Sequence, residues 1–231
     1  MMEILDKIPF QLDEEKLLKK LRVDKKGEYY AEINRMVKKV TPSIRPKVVY
    51  SVSYLEERNP GSITINGTRF TSRVLSKNLE KVERVFPFIA TCGSELDEIE
   101  KSYDDMLELF WLDTIKYFAL DASAQFIKNY LKEKFALNKI SSMSPGSGKQ
   151  EIWPIEQQKQ LFSLFGDVEK LIGVKLTDSC LMIPNKSVSG IYFPKDVTFE
   201  NCQLCPREDC PGRRAVYDES LLNSYYEEMA L

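Results

Sequence analysis

The chain has 231 residues, 43% of them hydrophobic and 29% charged, with a formal net charge of −2. This is the composition of a folded globular protein with room for a substantial core, and it argues against a nucleic-acid surface or a polybasic membrane patch. There is no histidine, which removes Ser-His and Cys-His nucleophile pairs and every zinc site that needs imidazole.

Neither common glycine-rich nucleotide cradle is present. No run of 18 apolar residues is present to cross a membrane. The opening MMEILDKIPFQLDEEK lacks the basic-then-apolar plan of a secretory signal. The expectation is therefore a cytoplasmic protein with no nucleic-acid or membrane partner, whose five cysteines are thiols or metal ligands rather than disulfides.

The first forty residues read as two short helices. DEEKLLKKL, from Asp13 to Leu21, carries acids early and lysines late, as the helix dipole favours. After Gly27, the residues Tyr30, Ile33, Met36, Val37 and Val40 recur at helical spacing, with Pro42 beyond the end. A β-rich stretch follows. Val48, Tyr50, Val52 and Tyr54 alternate with polar residues, and Asn66-Gly67 signals a type I′ hairpin. The apolar run Val85 to Ala90 predicts a buried strand, although Pro87 speaks against a central one. It ends in a turn at Thr91-Cys92-Gly93, where Ser94 is placed to cap the next helix with Asp97 three residues on.

From Leu96 to about Leu137 the period is helical, as two helices or one bent helix, and its aromatic stripe is read as core. Ser142 to Pro154 is the clear loop of the middle region. Pro154 suits the first turn of a helix through QQKQLFSLF, and Gly173 closes the helical region. LTDSCLMIP and KSVSGIYF read as two short strands, and the C-terminus as a short helix or tail. The fold class expected is α+β: a single curved domain over 1–231 with a twisted, mainly antiparallel sheet flanked by helices. Its helical N-terminal part spans 1–45 and its cysteine-rich tail 200–231.

The tail holds NCQLCPREDCPGRR, in which Cys202, Cys205 and Cys210 have the spacing C-x2-C-x4-C. Thiolates this close can share one soft metal centre, and Pro206, Pro211 and Gly212 suit a tight ligand loop. Three thiolates are one short of a tetrahedral site. Cys92 is the favoured fourth ligand, because Cys180 lies between apolar residues and reads as core. Zinc would be a structural staple and an iron–sulfur cluster an electron donor; an all-cysteine set accepts either. The alternative is three reduced surface cysteines. Arg213-Arg214 beside them either steers an acidic partner, stabilises thiolates or is solvated surface.

Two ordered stretches carry a family resemblance. LTDSCLMIPNKSVSGIYF, from Leu176 to Phe193, resembles the end of the activation domain of vitamin B12-dependent methionine synthase, with Asp178, Met182, Pro184, Ser187, Val188, Ser189, Gly190, Tyr192 and Phe193 at matching positions. Upstream, SPG followed by WPIEQQKQLFSLF resembles that domain's Pro-Gly loop and following helix. The earlier half, including SKNLEKVERVFPFIATCGSEL, and the clustered cysteines resemble stand-alone activation-domain-like proteins of anaerobic bacteria.

The resemblance implies a curved α+β domain that binds S-adenosylmethionine in a shallow groove and presents it to cobalamin carried by another protein. It implies a corrinoid-binding protein or methyltransferase as partner, and reductive activation or remethylation of that partner's cobalamin. The ligand-facing residues it implies are Ser144, Pro145, Gly146, Ser147, Lys186, Ser187, Ser189 and Gly190. Ser142 and Ser147 stand where the family has an arginine and a tyrosine, so the carboxylate contact requires Lys149 or another cation in the arginine's place. With the anaerobe-like resemblance, iron–sulfur moves ahead of zinc. A reading of a different class is a non-catalytic docking module with a structural, cysteine-ligated zinc.

Overall fold

A computed structural model describes residues 1–149, 151–195, 199–210 and 213–227, residue 227 by its backbone alone. In chain order the elements are β1 (Met2–Leu5), α1 (Glu14–Leu21), α2 (Tyr30–Val40), β2 (Lys47–Ser51), β3 (Ser53–Asn59), β4 (Ser62–Ile65), β5 (Thr68–Thr71), α3 (Arg73–Asn78) and β6 (Arg84–Thr91). There follow α4 (Glu95–Glu100), α5 (Met106–Lys134), β7 (Ile140–Met143), α6 (Gln158–Ser163), α7 (Val168–Ile172), β8 (Lys175–Leu176), β9 (Met182–Ile183), β10 (Ser187–Pro194) and α8 (Glu219–Glu227). This is the α+β class expected, with an antiparallel sheet.

β6 is the hub of that sheet. One of its edges pairs with β10, from Ser187↔Thr91 to Tyr192↔Phe86. Its other edge pairs first with β2 and then with β3, the chain breaking step at Val52. β1 adds to the outside of β2, β7 to the outside of β10, and β4–β5 continue from β3. Because β6 is covered on both faces, its sequence is a continuous apolar run rather than an alternating one. Pro87 does sit in this central strand, contrary to expectation. Phe86 and Pro87 stand opposite the break between β2 and β3, an irregularity of the kind that tolerates a proline.

Alternation sorts the core between two layers. Phe86, Phe88, Val48, Tyr50 and Tyr192 pack on Ile127 and Leu131 of α5. On the opposite face Val49 and Ile89 meet Phe162, Phe165 and Ile172 of the α6–α7 region, while Ile191 and Phe193 meet Trp153, Leu161 and Phe70. Each such buried side chain contributes about 1.5–3 kcal/mol relative to exposure.

Local chemistry fixes the element ends. Asp13 caps α1 through the Lys16 amide, and Asp105 caps α5 through Leu107 and Glu108, which divides the long helical stretch in two. Asn66 (φ 48°) and Gly67 (φ 71°) form the tight β4–β5 turn with both residues left-handed.

Four further expectations change. The N-terminus begins with a strand, β1, held against β2. Ser94 precedes α4 but makes no side-chain cap, and Asp97 instead accepts from Lys116 at 2.9 Å. Ser142 and Met143 belong to β7, not to the loop. LTDSCLMIP is not one strand but the two-residue β8–β9 hairpin around a turn, in which buried Cys180 takes φ 63°.

Candidate functional site

The site begins with an unfilled strand edge. The outer edge of β10 pairs with β7 only from Ile191 to Pro194, and among the described residues no strand covers Ser187 to Gly190. At that point β7 ends and the chain turns away across β10. The crossing is tight: a Cβ on Gly190 would lie 2.4 Å from the Met143 carbonyl oxygen and 2.8 Å from Ser144 Oγ, so only glycine fits.

The loop then folds on itself. Gly146 takes φ 74° and donates its amide to the Trp153 carbonyl at 2.8 Å, and the Ser147 amide donates to the Ser144 carbonyl at 3.2 Å. Buried Trp153 anchors this turn, donating from Nε1 to Gln157 at 3.3 Å. Ser144 thus lies against Gly190 at the outer edge of β10, next to the backbone that no strand covers among the described residues. A cavity of about 630 Å³ lies at the other end of β10.

The expected ligand-facing residues divide. Ser144 Oγ lies against Gly190, Gly146 packs on Ile155, Ser147 is half-buried and Pro145 is buried. Strand alternation puts Ser187 and Ser189 on the face of Ile191 and Phe193, toward the α6–α7 layer. Ser187 Oγ is engaged with Thr91 Oγ1 at 2.9 Å and the Pro184 carbonyl at 2.8 Å, and Ser189 is buried. Their backbones, rather than their hydroxyls, form the groove. Lys186 turns to α5, where Asp113 receives its Nζ at 2.8 Å and Asn185 Nδ2 at 3.2 Å.

The cysteines do not converge. Among the described residues no group of three or more Cys, Asp or Glu side chains is placed to hold a metal ion. Cys92 is buried at the far end of β6, its amide bonded to the Lys186 carbonyl. Burial pushes its thiol up to about 12, so it is an inert protonated thiol there. The tail enters elsewhere: Ser142, the strand partner of Tyr192, bridges to Glu200. Lys186 and Tyr192 are six residues apart on one strand, roughly 20 Å, so Cys92 is not the fourth ligand of this arrangement.

Cys202, Cys205 and Cys210 are half-buried and free. Their loop is organised by Arg213, whose guanidinium donates to the carbonyls of Cys202, Cys205, Arg207 and Ala215, while the Arg214 amide points to Cys202 Sγ at 3.4 Å. Arg213 is thus a structural clamp and not solvated surface. Pro211 and Gly212 lie outside the described residues.

Comparison with known proteins now bears on the groove. Residues 121–202 match the family model of the vitamin B12 dependent methionine synthase, activation domain. The resemblance read from the two sequence motifs is borne out over this segment. The matched segment runs from within α5 through β10, so it contains both the Ser144–Ser147 loop and the uncovered edge of β10. A solved structure, the crystal structure of the MetH reactivation domain bound to AdoHcy, matches with a TM-score of 0.62 at 16% sequence identity. The match covers 87% of this chain and 80% of that one, a likeness of fold. Among curated proteins none matches.

One residue of the site was not legible in advance. The matched segment has serine at 142, and the tail brings Arg214 near that position: its Nε pairs with Glu200 Oε2 at 3.3 Å, and the Glu200 backbone bridges Ser142. Only the parallel bridge of the tail onto β7, a contact 58 residues long in sequence, puts this cation there. No helix of the described residues is long and apolar enough to cross a membrane.

Proposed function

We propose that this chain is an accessory protein of a corrinoid-dependent methyltransferase system, reductively activating or remethylating the cobalamin of its partner. The observation that carries the reading is the half-open edge of β10 facing the Ser144–Ser147 loop, both inside the segment that matches the activation-domain model. The fold shared with a domain that binds AdoHcy supports S-adenosylmethionine as the groove's ligand.

In this reading the uncovered backbone groups of Ser187 to Gly190 bind the polar end of the ligand. Gly190 keeps the loop close enough for both walls to touch it, and Lys149 or Arg214 takes the carboxylate. S-adenosylmethionine supplies, when bound, a methyl group on a sulfonium that a reduced corrinoid accepts. The chain has no histidine, so an imidazole ligand to cobalt belongs to the partner. Leu181 and Ile183, exposed on the β8–β9 hairpin beside the groove, suit contact with that partner.

Titration calorimetry with S-adenosylhomocysteine and S-adenosylmethionine tests the methyl-donor branch. Binding is expected, weakened roughly tenfold or more in Lys149→Ala or Arg214→Ala, the worth of a charge-assisted contact of about 1.5–3 kcal/mol. Absence of heat and of any melting shift with both ligands eliminates that branch.

The second reading, a docking module with cysteine-held zinc, is favoured by one feature: Lys186, the cation of the β10 corner, is already committed to Asp113. For a metal to bind in the tail, Cys202, Cys205 and Cys210 would have to close together around it, with zinc or iron–sulfur as the candidates their thiolates suit. Anaerobic purification with metal analysis and a visible spectrum separates these. Iron and sulfide support electron delivery, whereas zinc alone supports the docking module.

A further inference from the structure

The far end of β10 has a different chemistry, independent of the groove. Where Pro194-Lys195 leaves the sheet, the connection from α3 into β6 and Tyr54 of β3 enclose a cleft of about 630 Å³. That is within the range of small-molecule sites, about 300–1,000 Å³. In a chain of net charge −2 its walls are predominantly basic: Lys77, Lys81, Arg84 and Lys195 face Glu80 and Glu83. Glu83 is already paired with Arg58 at 2.9 Å.

Lys195 is the centre of this cleft. Its Nζ donates to Asn78 Oδ1 and lies 5.4 Å from the Phe199 ring centroid, and among the described residues it has no carboxylate partner. Burial accordingly pushes its pKa below the ordinary lysine value. Asn78 is only 4% exposed and is held on both sides, its Oδ1 accepting from Tyr225 at 2.9 Å and its Nδ2 reaching Met143 Sδ at 3.4 Å. A half-buried ammonium fixed by a neutral amide is an incomplete arrangement, and an anion completes it. Arg84 is held over the rings of Phe135 and Phe86, at 4.8 and 5.5 Å from their centroids. Tyr54 remains 59% exposed on the cleft wall.

We propose that this cleft binds a phosphorylated small molecule of nucleotide size, its phosphates on Lys195, Lys81 and Arg84 and its planar ring on Tyr54. Several cations around one opening suit a multiply charged phosphate better than a single carboxylate, and the exposed tyrosine supplies a flat apolar surface beside them.

The test is calorimetry on the full chain with ADP and with inorganic pyrophosphate. Both should bind, ADP the tighter, and both more weakly as salt rises. Lys195→Met should lose at least tenfold in affinity for each, and Tyr54→Ala should weaken ADP while leaving pyrophosphate unchanged. Lys195→Met should melt no lower than the parent, because among the described residues it removes a charge with no carboxylate partner, so its loss of binding would not be a loss of fold. The proposal is overturned if neither probe binds, or if Lys195→Met binds both as well as the parent. Pyrophosphate binding as tightly as ADP would overturn the nucleotide-sized ligand.

Discussion

At the start of β10, Lys186 reaches Asp113 at 2.8 Å across the sheet corner; nine positions on, Lys195 is half-buried against an amide. A third lysine calibrates the pair. Lys116 on α5 is 1% exposed and bridges two carboxylates, Asp97 at 2.9 Å and Glu100 at 2.7 Å. Its burial alone would depress its pKa, but Glu100 and Asp97 more than offset that and the net shift is upward. Where this fold buries an ammonium for stability, it supplies carboxylates. Lys195 departs from that pattern, and a departure beside an open cleft points to a ligand rather than to packing.

The first end of β10 should break most readily at its glycine. Gly190→Ala drives a methyl group into the Met143 carbonyl at 2.4 Å, and a cost of about 3 kcal/mol is expected. A urea midpoint equal to that of the parent would show that the loop is free to lift, and that the closed groove has no steric origin.

Lys116→Met should come next, at about 2 kcal/mol. Removing one partner of a buried pair costs more than that when the other is buried too, but Asp97 and Glu100 are 30% and 37% exposed and can rehydrate. Its pH dependence sharpens the contrast. With a folded pKa above the unfolded one, the contribution of Lys116 is complete below about pH 10.4 and fades as pH rises through the folded value. Lys195 has the reverse sign. Its penalty is present at neutral pH and is relieved as pH climbs from its lowered folded value toward the unfolded one. Stabilities of Lys116→Met and Lys195→Met should therefore lie on opposite sides of the parent at pH 7, the first below and the second at or above it, and approach it as pH rises toward 11; offsets of one sign would erase the distinction.

The smallest effect belongs to Lys186→Met. That ion pair is partly exposed, 23% and 38%, so about 0.5 kcal/mol is expected, diminishing with added salt. A loss several times larger would mean that the corner depends on this pair and not on Gly190.

Much of this architecture could be read in advance because it is locally encoded. Asn66-Gly67 dictated its turn, Asp13 its helix start, Gly173 a helix end, and KSVSGIYF its strand. What escaped reading depends on contacts distant in sequence. β1 has too few residues to declare itself, and Pro87 is acceptable only because two strands meet opposite it. The cysteine spacing described a tight loop but not its clamp, since the Arg213 guanidinium reads as surface until the carbonyls around it are seen. Lys195 follows the motif without a period or a partner in the sequence, and its character comes from Asn78, 117 residues earlier.

The 29-residue α5 connects these regions mechanically. Near one end Asp113 grips the corner of the groove through Asn185 and Lys186. At the other, Lys134 is tied to Glu3 and Tyr50, on β1 and β2. The two anchor points are 21 positions apart on one continuous helix, roughly 32 Å at 1.5 Å per residue. α5 is in effect a strut: a load applied at the Asn185–Lys186 corner is transmitted along it to the opposite margin of the sheet, where β1 and β2 are tied to its other end.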